Sequence, residues 1–153
     1  MSSIKINRYF IFLLSCLFSL VGSQADEIKS MKDDICLLAD ASRIESSRIY
    51  ESGEPSLLTS SFNKILKSKS AKEDFEKLYK NGKTNAARLY ALTGLHHIDN
   101  NLYREYVQHM DLESKVERIW FCGTDVLKVS DMLNLIETGK MLETFQWVPK
   151  SEK

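Results

Sequence analysis

Apolar residues recur along most of this chain at intervals of three and four, the spacing of one helix face. Ile28, Met31, Ile35 and Leu38 form the first such stripe and predict a helix from about Asp26 to Ser42. The run "RIESSRIYESGEP", from Arg43 to Pro55, breaks that period. Its β-branched and aromatic residues, followed by Gly53 and Pro55, predict a short extended piece near Ser47–Glu51. Pro55 suits the first turn of a second helix, where its missing N–H is not needed, and Leu58, Phe62, Ile65 and Leu66 supply the stripe. "SAKE", Ser70 to Glu73, reads as a capping box for a third helix that turns Phe75 and Leu78 inward. Asn81 and Gly82 tolerate the left-handed conformation and close it.

The densest apolar stretch is "NAARLYALTGLHHIDNNLYREY", Asn85 to Tyr106. Ala87, Ala91, Leu95 and Ile98 share one face, Leu89 and Leu92 another, and Tyr90 widens the coverage. A helix apolar nearly all round is surrounded by other elements. Gly94 and the alanines allow close backbone approach. Asp99 is placed to cap a fifth helix with a stripe of Leu102, Tyr103, Tyr106, Val107 and Met110. "KVERIWFCG", Lys115 to Gly123, predicts a strand ended by glycine. "VSDMLNLIETG", Val129 to Gly139, predicts a sixth helix with Ser130 as cap and Gly139 at its end. "LETFQWV", Leu142 to Val148, alternates and predicts a final strand.

The N-terminus stands apart from this pattern. Lys5 and Arg8 precede an apolar run from Tyr9 to Val21, and small residues follow in "GSQA". That layout is a secretory signal, with cleavage expected after Ala25. The run is shorter than the roughly 20 residues that span a bilayer. An uncleaved anchor and lipidation at Cys16 are the alternatives. The expected organisation is a signal peptide over residues 1–25 and one helical domain over residues 26–153. The destination is periplasmic or secreted, with no stable membrane span after signal removal. Export permits disulfides, so Cys36 and Cys122 form a candidate bridge, against two buried free thiols.

Composition narrows the function. The whole chain has 21 basic and 21 acidic residues, so no basic excess calls for nucleic acid. Two prolines and six glycines leave no room for a long low-complexity linker.

The stretch "LYALTGL", followed by Asp99 and a second amphipathic helix, resembles a HEAT-type helical hairpin. A longer pattern joins "FEKLYKNGKTNAARLYALTGL", the aspartate, "VERIWFCG" and a short helix. It resembles a group of small exported bacterial helical proteins of uncharacterised function and spans roughly residues 55–140. Ala87 stands where that group has glycine, Thr93 where it often has cysteine, and "CG" where "GC" is common. The resemblance implies a mainly α fold: about six helices in HEAT-like antiparallel hairpins with a minor two- or three-stranded β patch. It implies no chemistry.

His96, His97 and Asp99, joined by His109 from the next helix, are the candidates for a metal site. Adjacent helical residues point about 100° apart, however, and a zinc helix places histidines at i and i+4. The ordinary alternative puts the imidazoles at a helix C-terminus, where the dipole favours them. Cys122 in "WFCGTD" ends an apolar strand, a poor setting for a thiolate nucleophile. The pairs Asp33–Asp34 and Glu73–Asp74 fit exposed faces near helix N-termini. The lysines at 64, 67, 69 and 72 are interspersed with acids and read as a solvated face. Tyr50, Trp120 and Trp147 lie in or near the extended segments. They are candidate partner-binding anchors, because Trp and Tyr dominate interface hot spots, or else they cover one side of the core. The sequence therefore predicts a non-enzymatic exported protein-interaction module, with an inhibitor or immunity protein of an envelope enzyme as one form. No catalytic residue, cofactor or metal is assigned. The alternative is a metal-dependent envelope hydrolase using His96 or His97 and His109.

Overall fold

In the computed structural model, residues 29–49, 54–120 and 123–146 are described. The chain divides into two units, Met1–Asp33 and Asp34–Lys153. Of the first, residues 29–33 are described, and they are helical. The signal peptide, Cys16, Tyr50, Cys122 and Trp147 lie outside the described residues.

The second unit is mainly helical with a small mixed sheet. Its first helix, α1, covers residues 34–39. Three short strands follow: β1 (Arg43–Glu45), β2 (Arg48–Ile49) and β3 (Glu54–Pro55). Four helices come next: α2 (Leu57–Leu66), α3 (Ala71–Asn81), α4 (Asn85–Ile98) and α5 (Asn100–Val107). The hairpin β4 (Lys115–Trp120) and β5 (Gly123–Lys128) leads into α6 (Val129–Glu137) and α7 (Lys140–Gln146). The three-stranded sheet has the order β1-β4-β5, with β1 parallel to β4 and β4 antiparallel to β5. A parallel pair needs a long crossover, and here α2 to α5 supply it.

The predicted apolar helix is the centre of this unit. Every residue of α4 from Ala86 to Leu95 except Arg88 is buried, and the helix touches α2, α3, α5, α6, β1 and β4. Thr84 caps it by accepting from Ala87 N at 3.0 Å. At Gly94 an added Cβ would overlap the Phe75 ring of α3, so the residue is glycine for close approach. Phe62 of α2 meets Phe75, Tyr90 and Phe145 at ring-centroid distances of 5.3, 6.2 and 4.9 Å. Full burial of one such ring contributes about 2–3 kcal/mol. The Tyr90 hydroxyl accepts from Glu45 N at 2.8 Å, which satisfies a strand donor inside the core.

Several local expectations are corrected. Pro55 lies in β3, one residue before the cap, and Ser56 takes the capping role by accepting from Thr59 N. Ser70 is no capping box: its hydroxyl donates to the buried Asp74 carboxylate at 2.7 Å and makes no bond to the helix backbone. Gly82 is extended, at φ −62°; a Cβ there would stand 2.9 Å from Leu78 O and 3.0 Å from Ala87 Cβ. Ser130 lies inside α6, whose cap position is Lys128. Gly139 does end α6, with a positive φ of 76°. The predicted final strand is a helix as far as Gln146. Met141 and Phe145, four apart and both buried, set its period, and the alternation of Leu142, Thr144 and Gln146 lies on less buried positions. Strand β5 was not foreseen, because Thr124, Val126 and Lys128 are exposed and leave no apolar stripe.

Candidate functional site

The histidine cluster does not assemble. His96 lies edge-on to the Tyr103 ring at 4.8 Å, while His97 and His109 are exposed. Asp99 caps α5, accepting from Asn101 N and Leu102 N at 3.1 and 3.2 Å, and pairs with Lys72 at 2.7 Å. The Lys72 ammonium first, and the Leu102 amide after it, hold the Asp99 carboxyl below its ordinary range. Among the described residues no three His, Cys, Asp or Glu side chains gather closely enough to hold a metal ion.

The carboxylate pairs split, contrary to the expectation that all four acids are exposed. Asp33 and Glu73 are exposed, but Asp34 and Asp74 are buried. Neighbours on a helix point about 100° apart, so one member turns in and finds donors. Ser61 Oγ donates to Asp34 Oδ1 at 2.5 Å, and Lys64 Nζ stands 3.3 Å from the same atom. The lysine row is thus partly ion-paired. Cys36 carries an exposed free thiol.

The feature with the geometry of a binding site lies where the sheet meets α6 and α7. It is a cleft of about 740 Å³, within the size range of small-ligand and side-chain pockets. Among the described residues it is lined by Ser46, Ser47 and Arg48 beyond β1, by Arg118 and Trp120 of β4, and by side chains of α6 and α7. Leu135 comes from α6 and Lys140, Glu143 and Thr144 from α7. Two backbone bonds join its sides. Ser46 N donates to Ile119 O at 2.9 Å, prolonging the β1–β4 ladder, and Ser47 N donates to Thr144 O at 3.1 Å.

Strand periodicity builds the polar side. Val116, Arg118 and Trp120 alternate onto one face of β4, and the β5 register sets Leu127, Asp125 and Gly123 opposite them. The face begins apolar, with Val116 buried, and becomes polar toward the strand end. There Arg118 Nε and Nη2 donate to the two Asp125 oxygens at 3.1 and 2.8 Å. The Trp120 indole N–H donates to Asp125 Oδ2 at 3.3 Å. The Arg118 guanidinium carbon lies 3.4 Å from the Trp120 ring centroid, in cation–π contact. Arg118 lowers the Asp125 carboxyl below its ordinary range, against the opposing effect of burial. The guanidinium is nearly buried, whereas Trp120 keeps 38% of its surface exposed. The result is an aromatic side chain held in one orientation while still open to solvent.

Of the three aromatic candidates named from the sequence, Trp120 is in the cleft and the other two lie outside the described residues. The sequence reading missed Arg118, Asp125, Leu135, Lys140 and Glu143. One signal was present: Arg118 and Trp120 are two apart on a strand and so share a face. Asp125 required the hairpin register, and α7 required recognition as a helix.

Among the described residues no helix is long and apolar enough to cross a membrane. No protein-family model matches the chain, and neither a curated protein nor a solved structure matches it.

Proposed function

We propose that this chain is an exported, non-enzymatic binding module that grips a protein partner in the cell envelope through the cleft between β4 and α7. The carrying observation is the Trp120–Arg118–Asp125 unit at the cleft, with its exposed and oriented indole. Trp and Arg are the side chains most enriched at interface hot spots. Pre-orientation reduces the entropy lost when a partner covers them. The basic, apolar and small-residue layout of residues 1–25 supports export. An inhibitor or immunity protein that neutralises an envelope enzyme is the form that suits a small domain with an anchored cleft.

The test is site-specific photo-crosslinking in envelopes of the source cells. A benzoyl-phenylalanine at Glu143 yields one adduct of discrete mass, and Trp120→Ala abolishes it. The same probe at Arg104, exposed on α5, gives no such adduct. Identical adducts from both sites, or none from Glu143, would overturn the proposal.

A further inference from the structure

The two edges of the three-stranded sheet are finished differently. At the β1 edge Glu45 N donates to the Tyr90 hydroxyl, so the core satisfies it. The opposite edge is β5. Ladder phase fixes which of its backbone groups look outward. Val129 N donates to Ser114 O, so with the β4–β5 register the bonded pairs are Val116–Leu127, Arg118–Asp125 and Trp120–Gly123. Ser46 N donates to Ile119 O, which turns the alternate β4 residues toward β1, in agreement. The N–H and C=O of Thr124 and Val126 therefore point away from β4. Among the described residues no strand or other backbone group bonds to them.

We infer that this edge takes a second copy of the chain, β5 pairing antiparallel with β5 about a two-fold axis at Val126. In that register Val126 lies opposite Val126, and the two residues exchange both backbone bonds. Thr124 lies opposite Lys128, so no like charges meet across the seam. The surface is self-complementary, as a two-fold contact requires. Natural edges resist such pairing with lysines or other charges. Here Lys128 is tied to Glu113 at 2.7 Å and Asp125 to Arg118 at 2.8 Å, so neither charge guards the edge. Val126, at the middle, keeps 59% of its surface exposed, and pairing sets two such side chains together. The whole chain balances 21 basic against 21 acidic residues, so copies approach without net repulsion. Removal of residues 1–25 subtracts only Lys5 and Arg8 from that balance. A six-residue strand buries less than the roughly 1,200 Å² of a stable complex. The dimer is therefore weak and depends on concentration. It uses the strand edge, not the cleft, and stands whether or not the cleft binds a partner.

The experiment uses the chain purified as its cells process it, in reducing buffer because Cys36 is an exposed thiol. Sedimentation and amide hydrogen exchange are followed from about 10 µM to about 1 mM. Dimer appears across that range, and exchange of the Thr124 and Val126 amides slows by about tenfold. Val126→Pro deletes an outward N–H that the β4–β5 ladder does not use, a position where a strand tolerates proline. It leaves the chain monomeric. Val126→Lys opposes two ammonium groups and weakens the dimer by about tenfold or more, with Glu117 across the ladder to receive the new charge in the monomer. Circular dichroism identifies the variants that keep the fold. A wild type that stays monomeric overturns the inference, as does a dimer that folded Val126→Lys leaves intact. Protection of both amides at every concentration would mean that the chain covers its own edge. Protection that appears only with envelope extract would assign the edge to a different protein. Either result also overturns it.

Discussion

The α3–α4 seam and the β4–α7 cleft solve opposite problems with similar side chains. In the seam, aromatic rings and a tyrosine hydroxyl are sealed among Phe62, Phe75, Tyr90 and Phe145. The Tyr90 hydroxyl there serves a strand amide, and nearby Ser56 serves both a helix terminus and Glu45. Burial accordingly pushes the Tyr90 phenol far above its ordinary value. In the cleft, an indole and a guanidinium are also fixed by named partners, yet the indole stays open to solvent. The first arrangement serves stability; the second leaves an oriented aromatic surface exposed.

The sharpest break between the two regions is Phe62→Ala. It empties a site touched by three rings and is expected to destabilise by about 4 kcal/mol in urea titration. Gly94→Ala comes next, at about 2 kcal/mol, because its methyl group meets the Phe75 ring and α3 has to move. A neutral Gly94→Ala would mean that the seam is looser than its burial suggests.

Trp120→Ala reverses the pattern. Its stability change stays within about 1 kcal/mol, since it removes an exposed cation–π contact and one long hydrogen bond. Under the proposed binding role, the loss is expected in partner binding instead. A large fall in melting temperature would show that the indole belongs to the core after all.

The smallest expected effect is electrostatic. Arg118 holds the folded Asp125 carboxyl below its ordinary value, so the pair stabilises above the unfolded pKa of about 4. That contribution is lost as pH falls through the depressed folded value. The melting-temperature difference between wild type and Asp125→Asn should hold steady from about pH 7 to pH 5 and shrink as pH falls below the unfolded value of about 4. Because the Asp125 side chain is 38% exposed, the difference is small throughout.

Helical periodicity was legible because α2, α3 and α4 each repeat their apolar positions over ten residues or more. The same reading anticipated Asp99 as a cap, since a lone aspartate between two apolar stripes has few other uses. It failed at α7, where seven residues carry one period and a chance alternation reads as well as the true one. It also failed at β5, whose exposed residues record no core face. The buried Asp34 and Asp74 were missed because their partners are tertiary or depend on which way a helix turns.

By itself, the sequence determined the longer helices, the capping aspartate, the apolar centre at Asn85–Ile98 and the existence of a strand from Lys115. These depend on residues within a few positions of one another, where backbone geometry fixes which side chains share a face. Only the tertiary structure decided that Arg118 faces Asp125, that α7 brings Lys140 and Glu143 to the same cleft, and that Trp120 stays open beside them. Pairing register and helix docking join residues distant along the chain, and no local spacing encodes the space left between them.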